Sequence, residues 1–156
     1  MAEAIFAAGC FWGVEQAFRD TSGVLETTVG YIGGNSKDPT YEEVCTGQTG
    51  HAEAVKVRYD PMEISFEGLL NVFWSCHNPT QVDRQGPDVG TQYRSAIFCV
   101  DEAQRATAEK SKLALQSAGE LKAPIATKIV AADHFYMAED YHQQYFEKRG
   151  QRPHFL

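Results

Sequence analysis

The sequence predicts an α+β fold in which helices cover one side of a largely antiparallel sheet of the split βαβ type. Along the chain, short apolar or alternating segments typical of strands are interspersed with segments whose apolar residues recur at helical spacing. In chain order they begin β, α, β, β, α, β, which favours this arrangement over a doubly wound parallel sheet. The chain has 156 residues, 43% of them hydrophobic, so we expect one domain over residues 1–156.

The first strand and helix are predicted on either side of a tight turn. Residues 4–8 form a short apolar run that stops at Gly9. The helix then continues to the Ser22–Gly23 breaker, because apolar side chains recur at helical spacing at Phe11, Val14 and Phe18. Cys10 therefore falls where a strand passes into a helix.

The next two strands are predicted at 25–31 and 53–59, where apolar and polar residues alternate. They are expected to be neighbours in one sheet. The segment between them, 35–50, is polar and contains glycine, with room for one short helix around 41–44. Long loops of this kind are often functional.

The second half of the chain begins with the clearest amphipathic helix, at 66–74, with Ser65 as its N-cap. Residues 77–92 contain two prolines and two glycines and show neither period, so they are predicted to form a second long loop. The remaining predicted elements are strand, helix, strand and helix, at 93–100, 101–118, 125–130 and 139–148.

Charge and composition exclude several classes of protein. The net charge is −7, and lysine and arginine do not cluster, which argues against nucleic acid or an anionic membrane as a main partner. The chain begins without a basic flank before its first apolar run, so no signal peptide is predicted. No stretch has about 18 uninterrupted apolar residues, so no membrane span is predicted either. Four widely spaced cysteines without a C-x-x-C pair indicate free thiols in a reducing, cytoplasmic setting: Cys10, Cys45, Cys76 and Cys99.

Cys10 is the candidate nucleophile. At a helix N-terminus, free backbone amides and the helix dipole favour the thiolate, and lowering the pKa from its usual value would increase the ionised fraction. The alternative is a buried cysteine that fills a gap between helix and sheet, since cysteine is among the most buried residue types.

The two aromatic residues that follow Cys10 could either pack in the core or line a pocket. Helical spacing favours the core for Phe11, whereas Trp12 lies off the apolar stripe and is a candidate for the mouth of a site.

Glu53 is the candidate proton donor. It shares strand parity with Val55 and Val57, so its carboxyl belongs to the face expected to be apolar. Burial raises the pKa of a carboxyl, and an acid that is partly protonated near neutral pH can donate a proton. Alternatively, Glu53 lies at the end of the strand and its side chain points outward.

Three further polar residues in or beside the long loops are candidates for the site: Tyr41, Tyr93 and Asp88. The two phenol hydroxyls could donate to an oxygen, and the carboxylate could hold the loop or the substrate.

Five segments, taken in order, span nearly the whole chain: GCFWG at 9–13, PTYEEVCTG at 39–47, TGHAE at 49–53, QGPD with GTQYRS at 85–88 and 90–95, and AEDYHQQY at 138–145. Together they resemble the peptide methionine sulfoxide reductase A family. The resemblance implies a single catalytic domain, a two-layer sandwich with a ferredoxin-like core and a mainly antiparallel sheet. It also implies reduction of methionine S-sulfoxide, free or in peptides and proteins, without metal or organic cofactor.

The resemblance implies a role for each candidate residue. Cys10 would attack the sulfoxide sulfur as a thiolate and become a sulfenic acid, while Glu53 supplies a proton to the sulfoxide oxygen. The other implied roles are hydrogen bonds to that oxygen from Tyr41 and Tyr93, apolar walls for the substrate methyl from Phe11 and Trp12, and positioning by Asp88.

The second half of the cycle departs from the family pattern. Many relatives carry a tail cysteine that resolves the sulfenic acid, but the chain ends at 149–156 without one. We therefore expect an external thiol, from thioredoxin, glutaredoxin or glutathione, to attack the sulfenic acid. Resolution by Cys76 or Cys45 is the weaker alternative, with Cys76 as the internal thiol most free to move; Cys99 is expected in the core.

Three functions from other classes remain as alternatives. The first is a structural zinc domain, but the sequence has none of the closely spaced ligand pairs of such domains apart from the adjacent Cys76 and His77. A module that binds oxidised methionine without reducing it would use the same pocket. A general thiol oxidoreductase would be expected to contain C-x-x-C.

Overall fold

The structure, a computed structural model, describes residues 1–150. Its strands are β1 (Ala2–Ala8), β2 (Val24–Ile32), β3 (Ala52–Tyr59), β4 (Arg84–Gln85), β5 (Asp88–Val89), β6 (Ser95–Cys99), β7 (Lys128–Ala131) and β8 (Tyr136–Met137). Its helices are α1 (Phe11–Arg19), α2 (Tyr41–Cys45), α3 (Phe66–Ser75), α4 (Glu102–Ser117) and α5 (Tyr145–Arg149), with 3-10 turns at Thr91–Tyr93 and Asp140–His142. The expectation about a tail cysteine concerns residues that lie mostly outside this description.

Six strands form one mixed sheet in the order β7-β6-β1-β3-β2-β8. All neighbouring strands in it are antiparallel except β6 and β7, which are parallel. The prediction of an α+β fold with a mainly antiparallel sheet is confirmed. The two short strands β4 and β5 pair with each other inside the second predicted loop.

The helices α1 and α3 pack on one face of the sheet over an aromatic cluster. The ring of Phe6 on β1 stacks on Phe18 of α1 at 5.0 Å and contacts Phe73 of α3 at 5.4 Å between centroids. The prediction that Cys99 lies in the core is confirmed, because it is buried in the same cluster as Ile97. A smaller apolar cluster around Phe98 covers the other face.

The predicted final helix at 139–148 is wrong in its first half. A 3-10 turn ends at His142, the chain is extended at Gln143, and Gln144 adopts a left-handed conformation with φ 50°. The buried carboxylate of Glu15 accepts hydrogen bonds from the backbone and side-chain nitrogens of Gln144, at 2.8 and 3.0 Å. These contacts between distant segments replace the local helical bonds that the sequence favours.

Two further predicted boundaries shift. The predicted strand at 93–100 begins only at Ser95, because the preceding residues form the 3-10 turn. The predicted strand at 125–130 is β7, which begins at Lys128. Among residues 1–150 no helix combines the length and hydropathy needed to cross a membrane.

Strand register brings the candidate site residues to one end of the sheet. Ala8, the last residue of β1, lies opposite Ser95 at the start of β6, and Glu53 near the start of β3 lies opposite Tyr31 near the end of β2. Between β1 and α1, Gly9 has φ +104°, and a Cβ there would lie 2.9 Å from the side chain of Gln85. A glycine is therefore required for the turn that presents Cys10.

Candidate active site

Cys10 is the N-cap residue of α1 and is half-buried. Burial is the main cause that raises the pKa of its thiol to about 12, and the charges of Glu53 and Asp88 raise it further. The backbone amides of Trp12 and Gly13 act in the opposite direction but do not compensate. The expectation of a lowered thiol pKa is wrong, because burial and the neighbouring carboxylates outweigh the helix N-terminus.

Glu53 is buried, with 1% of its surface exposed, so its inward orientation follows the strand parity and the outward alternative is wrong. One carboxylate oxygen, Oε1, accepts the Phe11 backbone N–H at 3.2 Å, and Oε2 accepts the Gln92 side-chain amide at 3.1 Å. Burial, and then the charge of Asp88, raise the pKa of Glu53 to about 7 in spite of these two donors. This carboxyl therefore exchanges its proton near neutral pH.

Two phenols and a carboxylate adjoin this pair. Tyr41 begins α2, whose N-terminus is fixed by a capping box between Thr40 and Glu43, and Tyr93 ends a 3-10 turn. Burial is the main cause that raises the pKa of both phenols, so both keep their O–H at neutral pH. For Tyr41 a hydrogen bond with Cys45 is the next cause, and the charge of Glu53 adds to the shift of both phenols. Asp88 on β5 is close enough to raise the pKa of Cys10, Glu53 and Tyr93.

Phe11 and Trp12 differ in their surroundings. Phe11 is almost fully buried and contacts the rings of Tyr31 and His142, which agrees with its helical spacing. Trp12 is half-buried, and its ring stacks on Tyr145 at 3.7 Å between centroids. The two neighbouring aromatics thus divide between the core and the edge of the site.

Several residues of the site were not singled out by the sequence analysis, although they lie within its motifs. The indole N–H of Trp12 donates to Nδ1 of His142 at 2.9 Å, which places the imidazole proton on Nε2 when the ring is neutral. Glu139 accepts the Tyr31 hydroxyl at 2.8 Å and the Tyr41 backbone N–H at 2.9 Å. Gln92 lies directly before Tyr93. Only the position of these residues inside the matching motifs signalled them.

The accessibility of the two candidate resolving cysteines is the reverse of what was expected. Cys76 is only 8% exposed and its thiol contacts the Phe73 carbonyl at 3.4 Å, so the expectation that it is free to move is wrong. Cys76 directly follows α3 and is buried in the same apolar cluster as Phe73. Cys45, by contrast, is exposed, and its sulfur lies 3.5 Å from the Gln92 amide.

Within the described part of the chain, no three His, Cys, Asp or Glu side chains come together in a group that could hold a metal ion. The zinc alternative therefore has no ligand set there.

Comparison with known proteins decides the family. The family model described as peptide methionine sulfoxide reductase matches residues 2–155. The peptide methionine sulfoxide reductase MsrA of Methanosarcina acetivorans is 61% identical over 148 residues, which cover 95% of this chain and 79% of the relative. The chain belongs to the peptide methionine sulfoxide reductase family. The resemblance inferred from the five motifs is thus confirmed.

Solved structures of Mxr1 from Saccharomyces cerevisiae are similar to this chain over most of its length. The reduced form of Mxr1 from Saccharomyces cerevisiae matches with a TM-score of 0.90 and 36% identity, covering 99% of this chain and 88% of Mxr1. The structure of Mxr1 in complex with Trx2 matches with a TM-score of 0.64 and 26% identity, covering 92% of this chain and 84% of that chain.

Proposed function

We propose that the chain reduces methionine S-sulfoxide, free or in peptides and proteins, to methionine, with Cys10 as nucleophile and Glu53 as proton donor. The observation that carries this proposal is the contact between the start of α1 and a buried carboxyl: Cys10 is the N-cap residue of α1, and the backbone N–H of the next residue, Phe11, donates to Oε1 of Glu53 at 3.2 Å. Membership of the family supports the reaction. The roles of the individual residues rest on the geometry.

The number of protons on the pair decides when it can react. Attack requires a thiolate and a protonated acid at the same time, which is one proton shared between the two groups. Below the Glu53 pKa of about 7 the pair holds two protons, and above the Cys10 pKa of about 12 it holds none. The reactive pair is therefore the one with a single proton, and the reduction rate is expected to rise as pH passes about 7.

In the reaction Glu53 takes the Cys10 proton and transfers it to the sulfoxide oxygen, while the thiolate attacks the sulfoxide sulfur. A bond forms between the Cys10 sulfur and the substrate sulfur as the sulfur–oxygen bond of the substrate breaks, and the oxygen leaves with its proton as hydroxide. Hydroxide then attacks the Cys10 sulfur and breaks the sulfur–sulfur bond, so that the substrate sulfur, reduced by two electrons, leaves as the thioether of methionine. Cys10 is oxidised by two electrons to the sulfenic acid. Thiol and sulfoxide thus give sulfenic acid and thioether, and no other reactant is consumed.

The phenols and the aromatic wall complete the proposed site. The hydroxyls of Tyr41 and Tyr93 remain protonated and can donate to the oxygen on which charge develops, which lowers the barrier most in a water-poor site. Trp12 provides the apolar surface for the substrate methyl group, and Phe11 packs against the same His142 ring as Trp12. Asp88 helps to orient the phenols and the substrate.

We infer that an external thiol returns Cys10 to its reduced form. A first thiol displaces water from the sulfenic acid to give a mixed disulfide, and a second thiol releases Cys10. The match to Mxr1 in complex with Trx2 supports a thioredoxin as donor, with glutaredoxin or glutathione as alternatives. Among the internal thiols Cys45 is the better alternative, because Cys76 is buried.

One experiment tests both the reaction and its recycling. The reduced protein is mixed with excess methionine S-sulfoxide without reductant, and methionine formed and thiols lost are counted per chain. We expect one methionine and one lost thiol, and almost no methionine from the R epimer as matched control. Two lost thiols would indicate an internal disulfide, and no methionine from either epimer would contradict the proposed reaction.

We also propose a ferredoxin-like core, a single catalytic domain and a reducing compartment. The central strand order β6-β1-β3-β2, with α1 and α3 on one face, supports a ferredoxin-like core in a two-layer sandwich. The continuous six-stranded sheet supports a single catalytic domain over residues 1–156. Four free thiols agree with a reducing compartment such as the cytoplasm.

A further inference from the structure

We propose that Gln92 is a positioning residue for the reduction step, which holds the Glu53 carboxyl in the ionised form that can accept the proton of Cys10. The inference rests on the proposed function and extends it by a residue with no role assigned so far. It follows from the contacts of one buried amide.

Gln92 lies in the middle of the 3-10 turn Thr91–Tyr93, between β5 and β6, and is only 4% exposed. Its Nε2 lies 3.1 Å from Oε2 of Glu53 and 3.5 Å from the sulfur of Cys45. An amide nitrogen carries two hydrogens, so one can be given to each partner. The carboxylate is the charged partner, and hydrogen bonds to charged groups are the stronger ones.

The groups that face Glu53 leave few sources of stabilisation for its negative charge. The Glu53 charge raises the pKa of one thiol and three phenols, and the charge of one carboxylate, Asp88, raises the pKa of Glu53 itself. The thiol and the phenols are those of Cys10, Tyr31, Tyr41 and Tyr93. Within residues 1–150 no lysine or arginine forms an ion pair with Glu53. Neutral hydrogen-bond donors must therefore hold the charge.

Two such donors contact the carboxylate, and they differ in kind. The Phe11 N–H belongs to the backbone of α1 and is present whatever the side chain. The amide of Gln92 is the side-chain donor, and both donors lower the pKa of Glu53 against the effect of burial. Without Gln92 the buried carboxyl would keep its proton at neutral pH, and the pair with Cys10 would hold two protons, which is the unreactive state.

The test is the variant Gln92→Met, which has a similar length but no donor. We expect the single-turnover rate of sulfoxide reduction to fall about tenfold or more at neutral pH and to recover at higher pH, with its midpoint moved upward by about one to two pH units. The pH midpoint of the Glu53 carboxyl-carbon chemical shift, measured by NMR, is expected to move upward as well. If the substitution lowered the rate only by disturbing the structure, raising the pH would not restore the rate.

Gln104→Met is the matched control, because Gln104 is another buried amide, which bonds the Glu3 carbonyl at 2.7 Å. It lies on α4, and its loss is expected to lower the melting temperature without moving the midpoint. Should Gln92→Met not fold, Gln92→Asn keeps an amide that falls short of Glu53, and the same upward shift is expected.

The inference would be overturned by a rate that falls equally at every pH with an unchanged Glu53 titration. This result differs from a failure of the proposed function, because in that case the unsubstituted protein would itself form no methionine.

Discussion

Cys10→Ser is expected to reduce methionine formation from the S-sulfoxide by more than about a thousandfold, because a serine hydroxyl is far less ionised and less nucleophilic than a thiol. The two side chains are close in size, and Cys10 makes no side-chain hydrogen bond that caps α1, so the fold is expected to persist. Methionine produced in a single turnover is the measurement, with the melting temperature recorded beside it.

Cys99→Ala provides the control for this substitution. It also removes a thiol, but from the apolar cluster under the sheet rather than from the site. This variant is expected to unfold at a lower temperature and still to reduce the sulfoxide in a single turnover. If the serine variant retained a rate within tenfold of the unsubstituted protein, Cys10 would not be the nucleophile.

Glu53→Gln is expected to slow the same step by about a hundredfold to ten-thousandfold, the usual contribution of a general acid. Glutamine can still offer a hydrogen bond, but it cannot transfer a proton to the sulfoxide oxygen. The expected rate loss therefore isolates proton transfer from simple contact with the substrate.

A second readout of Glu53→Gln moves in the opposite direction. The Glu53 charge raises the pKa of the Cys10 thiol, so its removal is expected to lower that pKa, although burial and Asp88 still hold it above the usual value. The pH dependence of Cys10 alkylation, followed on its own peptide by mass spectrometry, measures this change. A more easily ionised thiol combined with a slower reduction would distinguish loss of the acid from damage to the nucleophile.

An unchanged rate of sulfoxide reduction in Glu53→Gln at neutral pH would contradict the role of Glu53. Proton donation would then have to come from one of the phenols, for which Tyr41→Phe and Tyr93→Phe are the next variants.

Much of the site could be predicted because its residues belong to regular elements with a clear period. The apolar run that stops at Gly9 and the helical spacing after Phe11 predict the strand-to-helix turn at Cys10. Alternation along β3 predicts the inward direction of Glu53. Each of these predictions needs only the few residues next to the position concerned.

The thiol pKa of Cys10 could not be predicted in this way. The sequence indicates the helix N-terminus, which lowers the pKa, but not the burial or the distance to Glu53, which is 43 residues further along the chain. The same holds for Gln92 and His142, whose partners Glu53 and Trp12 lie 39 and 130 residues away. Contacts between distant segments depend on strand register and loop path, which a local pattern does not contain.

The break in the predicted helix at 139–148 has the same physical origin. Its local pattern is helical, yet Gln143 binds the backbone of Val29 and Gln144 binds Glu15. These buried hydrogen bonds to β2 and α1 stabilise an extended and then a left-handed residue. Tertiary contacts here outweigh local helical propensity.

The central claim is that the oxidising equivalent of the sulfoxide passes to the sulfur of Cys10. Its most direct test is a single turnover with methionine S-sulfoxide in the presence of dimedone, which traps sulfenic acids, followed by peptide mass spectrometry. We expect one dimedone adduct, on Cys10, in an amount equal to the methionine released. Methionine released at full yield while Cys10 stays a free thiol would contradict this account.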